Sequence, residues 1–466
     1  MSLTGVGRGA WNAERDRRVP DYPEYFDPKM ETLSPDEFEA VQEAALWTQL
    51  AYVRERSLFY QEKFGTAGID LGDVETVDDL RKLPFTLKSE LRDSQLEAPP
   101  LGRQAAVPML DVARVYSTSG TTGRPTFIGL TRADLEVWKE VAARAFWTGG
   151  FRPDSIIPLV VAPYMIAGSY GDAMEHLGAT FVPVGVLATD RLITAFQHIG
   201  ANALLATSSF PVHFAASLEK RGIDPRSLGI KCILAGGEPG ASIPEYRAKI
   251  EETFGCIFLE MMGNGDMCSQ IFSECRYKRG MHFSAQGVVY AEIIDPETGG
   301  VLDIKEGTTG ELVYTSLKRE CMPLVRFRTR DHVLVTQTDC ECGRTGFGIR
   351  CIGRTDDMLI VQGVNVYPSA VKDVVSSLAP RVSGAVEIQL EKKPPEGWHP
   401  PIWIKVEAGA EPGDPDALKA ELETQIREKL VFRARVEIVP LDSLPTYEYK
   451  AKLVRKLYEE HPEGVS

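Results

Sequence analysis

The chain has 466 residues, 43% hydrophobic and 25% charged, an ordinary globular composition that is too long for a single core. Its net charge of -14 argues against nucleic acid or an anionic membrane as the main partner, although a local basic loop can still hold an anionic cofactor. No run of about 18 apolar residues occurs. The first residues form no apolar signal segment, and the eight cysteines read as reduced thiols or metal ligands rather than a disulfide frame, so the expected compartment is the cytoplasm.

In chain order, residues 34–63 show helical periodicity, with Ser34 as N-cap and Pro35 at the first helical position. A short strand over 114–116 leads into a Gly/Ser/Thr loop, and a helix follows from Arg132. Buried strands are predicted at Ile156–Pro163, Thr180–Val184, Ala203–Thr207 and Cys232–Ala235, separated by helices near 170–177, 191–199, 211–221 and 244–254. Such alternation predicts an α/β fold, a mostly parallel sheet flanked by helices. After about 285 the pattern turns to strands and turns, including 287–294 and 311–315, and predicts a β-rich subdomain over about 285–350. The division drawn is a large N-terminal domain, 1–353, and a small mobile α+β domain, 354–466. The latter has helices at 368–379 and 415–430 and strands at 383–390, 401–407 and 434–439.

The most informative stretch is Tyr116-Ser117-Thr118-Ser119-Gly120-Thr121-Thr122-Gly123-Arg124-Pro125-Thr126. Glycines let the backbone turn, and hydroxyls with free backbone N–H groups form a concave anion site able to wrap a polyphosphate. It is not a Walker loop, because no G-x-x-x-x-G-K-[ST] is present. A flexible surface loop is the plain alternative. The stretch resembles the phosphate loop of the acyl-adenylate-forming superfamily. Gly353-Arg354-Thr355-Asp356-Asp357-Met358-Leu359-Ile360 and Gly363-Val364-Asn365-Val366-Tyr367-Pro368 add a second match. With Leu83-Pro84-Phe85-Thr86 and the turn 295–299, the wording is similar to phenylacetate-CoA ligases from about residue 25 onward.

That resemblance implies nucleotide contacts from Ser117, Thr118, Ser119, Gly120, Thr121, Thr122 and Gly123. It implies an adenine-side segment of Gly236, Gly237, Glu238 and Pro239, and another of Met262, Gly263 and Asn264. Asp331 matches the carboxylate that takes the ribose hydroxyls, a role suited to its acceptor pair. Arg354 lies at the domain junction, and Asp356 is the hinge. Lys450 matches the catalytic cation that bridges carboxylate and phosphate, with Lys452 as a rival because Tyr449 replaces the usual glycine. At 262–266 the chain departs from the family's Tyr-Gly-x-[ST]-Glu. Gly265 lacks the hydroxyl, Met262 replaces the ring, and Asp266 is the Mg²⁺ ligand with a shorter reach.

Cys275, His282, Cys340 and Cys342 would suit tetrahedral Zn²⁺, or are four unrelated reduced residues. Tyr164, Ala167, Gly168, Phe210 and Ala235 could line an aryl pocket or simply pack a core. The resemblance implies an AMP-forming acid-CoA ligase that uses ATP, Mg²⁺, CoA and an aromatic or arylacetic acid as substrate, with a homodimer as assembly. The alternatives are an amide ligase, an F390 synthetase-like nucleotidyl transferase, or a non-catalytic nucleotide sensor.

Overall fold

In the computed structural model the described residues are 22–74, 76–118, 126–160, 166–185, 188–238, 240–355, 359–361, 364–391, 400–445 and 453–460. The first long helix, Pro35–Arg56, opens on a reciprocal cap. Ser34 Oγ accepts from the Glu37 amide, and Glu37 Oε2 accepts from the Ser34 amide at 2.8 Å. The single helix expected over 34–63 is broken at Ser57, whose backbone is extended, and restarts as Leu58–Ala67. Gln61 stabilises the break, its Nε2 donating to the carbonyls of Arg54 and Glu55 at 2.9 and 3.1 Å.

The phosphate-loop stretch sits between two antiparallel strands, β1 (Arg114–Ser117) and β2 (Phe127–Leu130), and helix Arg132–Thr148 follows β2. Twelve strands then form one hydrogen-bonded sheet. They are β3 (Ile156–Leu159), β4 (Thr180–Pro183), β5 (Ala203–Thr207), β6 (Cys232–Gly236), β7 (Ile257–Asn264) and β8 (Cys268–Glu274), followed by β9 (Met281–Phe283), β10 (Val289–Ile294), β11 (Val301–Leu302), β12 (Thr309–Ser316), β13 (Phe327–Gln337) and β14 (Gly348–Arg354). Their order is β11-β10-β12-β13-β14-β9-β8-β7-β6-β5-β3-β4. Pairing is parallel from β4 to β7, as the strand–helix alternation predicted, and antiparallel from β7 to β11.

A mostly parallel sheet therefore describes only half of the molecule. The switch has a local cause: the Gly265-Asp266-Met267 turn between β7 and β8 is too short for a parallel crossover. The expected β-rich stretch also shares this sheet, because β14 pairs with β9 through Gly348↔His282 and Ile349↔Met281. Two apolar clusters cover the parallel half, one around Phe214, Ile233 and Phe254 and the other around Phe146, Leu234 and Leu259.

The C-terminal portion has its own core around Val371, Ile388, Ile404, Leu418 and Ile426. It starts with hairpin β15 (Leu359–Val361) and β16 (Val364–Val366). Strands β17 (Val382–Leu390), β18 (Ile402–Ala408), β19 (Ala434–Val439) and β20 (Val454–Lys456) form a sheet in the order β19-β18-β17-β20, with helices Pro368–Ser376 and Pro415–Leu430 packed on it. The strands and helices predicted here are present, and β20 adds a strand parallel to β17.

Candidate nucleotide site and Cys/His cluster

The base of the loop is described, its centre is not. Thr118 and Thr126 close it: the Thr118 amide donates to Thr126 O at 3.0 Å, and the Thr126 amide donates to Thr118 Oγ1 at 3.1 Å. Ser117 is buried, with Oγ donating to Thr118 O. Ser119, Gly120, Thr121, Thr122 and Gly123 lie outside the described residues, as do Tyr164, Pro239, Asp356 and Lys450.

The end of β7 lies beside the base of this loop. Gly265, just past β7, is packed so closely that a Cβ there would lie 2.9 Å from Ile166 Cγ1 and 3.7 Å from Thr118 Cγ2. The missing hydroxyl at 265 thus has a steric correlate, the apolar turn Ile166–Ser169 pressed against it. That turn also carries Ala167 and Gly168, both half-buried. Met262 is half-buried and Gly263 exposed, while Asn264 Oδ1 accepts from the Asp266 and Met267 amides at 3.1 and 3.3 Å, fixing the turn.

The Asp266 carboxylate is engaged by a residue that the sequence reading passed over. Lys88 Nζ donates to both of its oxygens, 2.5 Å to Oδ1. Lys88 opens helix Lys88–Glu97, immediately after the Leu83-Pro84-Phe85-Thr86 stretch, so its position beside a recognised motif was the available signal.

On the adenine-side segment, Gly236 ends β6, and a Cβ there would meet Met261 O at 2.8 Å. Gly237 is exposed. The Glu238 side chain turns away from solvent. Its Oε1 accepts from the Ser209 amide at 2.8 Å, and its Oε2 lies 3.4 Å from Lys372 Nζ. Burial raises the Glu238 pKa, but Lys372 and Ser209 outweigh it and hold the carboxyl below its ordinary value. Behind the segment lies a second acidic group. Glu260, fully buried on β7, is pushed up to about 7 by burial and the neighbouring Glu274. Ser242 and the Gly240 amide hydrogen-bond it, and Arg247 ties Glu274 to Ala241 O. Of the pocket candidates, Phe210 starts helix Phe210–Glu219 and stacks on Phe214 at 5.7 Å. Ala235 is fully buried in the core beneath it.

Asp331 and Arg354 are register partners on β13 and β14, joined by Arg354 Nη1 to Asp331 Oδ1 at 3.2 Å. The small domain docks close by. Tyr367 stacks on His332 at 5.1 Å, and Ser369 Oγ donates to Ile352 O.

The four Cys/His candidates do converge. Cys275 Sγ and Cys342 Sγ lie 3.3 and 3.4 Å from His282 Nε2, and Cys275 Sγ lies 3.9 Å from Cys340 Sγ. All four donor atoms lie within 4.8 Å of one another. Zinc bonds of about 2.3 Å to sulfur and 2.0–2.1 Å to nitrogen span tetrahedral edges of about 3.6–3.8 Å, so the donor set fits that ion. The Cys342 thiol is held well below its ordinary value, by hydrogen bonding from Cys275 and then, against burial, by His282. The same contact pushes the Cys275 thiol up, so one proton is shared between the two sulfurs.

The model for the AMP-binding enzyme C-terminal domain matches residues 363–457. Phenylacetate-coenzyme A ligase of Thermus thermophilus is 36% identical over 76% of this chain and 78% of its own. The enzyme of that name from Aromatoleum evansii is 31% identical over 88% and 92%. The chain belongs to the phenylacetate-CoA ligase family. A structural relative, 2-hydroxyisobutyryl-CoA ligase in its postadenylation state with the acyl-AMP, superposes with a TM-score of 0.87 at 27% identity, over 95% of this chain and 94% of that one. In its thioesterification state the same ligase scores 0.69 over 95% of each chain. The expected acyl-adenylate-forming architecture, a large sheet domain followed by a small α+β domain, is therefore the fold of this family member.

Proposed function

We propose that this protein uses ATP to activate a carboxylic acid, aromatic or arylacetic, as acyl-AMP, and then transfers the acyl group to the CoA thiol, releasing AMP and pyrophosphate. The observation that carries the reading is a pair of contacts at the ends of the parallel strands. Gly265, after β7, packs against Thr118 at the closed base of the phosphate loop, and Lys372 of the small domain reaches Glu238, just after β6. In open α/β sheets ligands bind beyond the carboxyl ends of the parallel strands.

In this reading the loop amides and hydroxyls hold the phosphates, and Asp331 accepts the ribose hydroxyls. Lys450 brings carboxylate and α-phosphate together by stabilising the charge that accumulates between them. Asp266 is the residue that would hold the Mg²⁺ accompanying ATP, since carboxylate oxygen suits a hard cation, which would neutralise phosphate charge. Lys88, whose ammonium neutralises Asp266, is within the same neighbourhood and is read as a second phosphate-facing cation. Closure of the small domain excludes water from the mixed anhydride between the two steps. Cys275, His282, Cys340 and Cys342 would hold a structural zinc. With four protein ligands it has no open position for substrate. The same reading puts the enzyme in the cytoplasm, where ATP and CoA are found, and takes a homodimer as its assembly.

Pyrophosphate release with a panel of acids, with and without CoA, tests the reading. Release with an arylacetic or benzoic acid together with thioester formation supports it. Release without CoA consumption would turn it to amide ligation, and no release with any acid would leave a nucleotide sensor.

A further inference from the structure

The small domain reaches the nucleotide segment at one ion pair that the mechanism above does not use. Lys372, one turn into helix Pro368–Ser376, faces the Glu238 carboxylate at 3.4 Å, with side chains only 15% and 4% exposed. A pair this far out of solvent is poorly screened, and removing one partner leaves the other charge uncompensated. Its two ends belong to different bodies. Glu238 is anchored within the large domain by the Ser209 amide at Oε1 and by Ser208 Oγ, which donates to its carbonyl at 2.9 Å. Lys372 travels with the C-terminal domain.

The arrangement of the two parts also carries information. The same relative, at the same 27% identity and 95% coverage of this chain, scores 0.87 after adenylation and 0.69 in thioesterification. Identity and coverage are equal in both comparisons, so the difference points to domain arrangement, and this structure is nearer the postadenylation one. The Lys372–Glu238 contact is made in that arrangement.

We infer that Lys372 is a positioning residue, a latch that holds the small domain over the nucleotide segment during adenylation and lets go of Glu238 when the domain turns for thiol transfer. Release does not strand the carboxylate, because the Ser209 amide stays with it in both arrangements. The pair thus biases an equilibrium between two docked states without carrying any chemistry itself. A coupling of this kind typically shifts such an equilibrium by about 5–150-fold.

The inference rests on the acid-CoA ligase reading, and its test separates the two. Lys372→Ala should lower acyl-AMP formation about tenfold, while thioester formation from supplied acyl-AMP is unchanged or faster, and Lys372→Arg should restore adenylation. Small-angle scattering of the ligand-free protein supplies a readout independent of activity. Its profile should move away from the adenylating arrangement in Lys372→Ala and remain in place in Lys372→Arg. Equal losses in both half-reactions, or an unmoved profile, would overturn the latch. A wild-type protein that activates no acid would sink the ligase reading alone, leaving the scattering result to judge the latch.

Discussion

Lys88 is where a single side chain alters the reading of the site. The resemblance to adenylate-forming enzymes directed attention to Asp266 as a cation ligand, yet the folded chain already pairs that carboxylate with an ammonium. A carboxylate beside a polyphosphate is repelled by it, and Lys88, its side chain 29% exposed, would offset that repulsion. Lys88→Ala should therefore lower the rate of pyrophosphate release by about 10²-fold, the usual scale for losing one preorganised charge stabiliser. Thioester formation from supplied acyl-AMP, which involves no pyrophosphate, should change little. A lower melting temperature with an unchanged rate would make the pair a structural tie only. Sequence reading passed over this residue: its place beside the stretch 83–86 was the one signal, and lysines opening helices are too common for that to reveal a contact with a turn 178 positions away.

At the scale of elements, the strands β7, β8 and β9 govern both the nucleotide segment and the Cys/His cluster. They were also the strands least legible in the sequence. Every residue of β8 is buried, so its run lacks the alternation that betrays a half-exposed strand. The cluster was legible as residue types but not as geometry, since only the β8–β9 and β13–β14 turns bring 275 and 282 to 340 and 342. Purified protein should carry about one equivalent of zinc, and Cys340→Ser should lose it together with thermal stability before chemistry is affected. Metal analysis of a normally stable, zinc-free preparation would refute the site. Glu260 on β7 gives a pH prediction. Burial and Glu274 push its carboxyl up to about 7, above the ordinary 4.5. Its stabilising contribution is therefore full below pH 4.5 and is lost as pH rises through 7. Glu260→Gln keeps an acceptor for Ser242 and Gly240 but cannot ionise. It should be more stable than wild type at pH 8, by about 3 kcal/mol at most, with the gap closing toward pH 5. Denaturant midpoints at the two pH values measure this directly, and a gap independent of pH would dismiss the titration.

For the whole molecule, the strand–helix alternation and the C-terminal pattern were readable because each element there carries its own period and its own caps. Long-range closure was not. That the β-rich stretch returns to pair with β9, and that the sheet changes sense at Gly265, are decided by contacts between distant segments. The same long-range contacts bear on the proposed pivot at Asp356. Arg354 is tied to Asp331, the Thr355 amide donates to Arg330 O at 2.7 Å, and Thr355 Oγ1 donates to Glu311 Oε2 at 3.0 Å. The chain is thus fastened to the large domain through residue 355, while hairpin β15–β16 begins at Leu359. A rotation of the small domain has only the intervening residues, Asp356 among them, in which to absorb its dihedral change. Proline fixes φ near -65° and removes the amide donor. Asp356→Pro should therefore trap one arrangement. Because this structure superposes better on the relative's postadenylation state than on its thioesterification state, acyl-AMP formation should survive in part while CoA transfer collapses, as measured by pyrophosphate release against thioester yield. Damage to the nucleotide pocket would instead depress adenylation first, so a folded variant in which both half-reactions fall together would remove the two-arrangement mechanism from this protein.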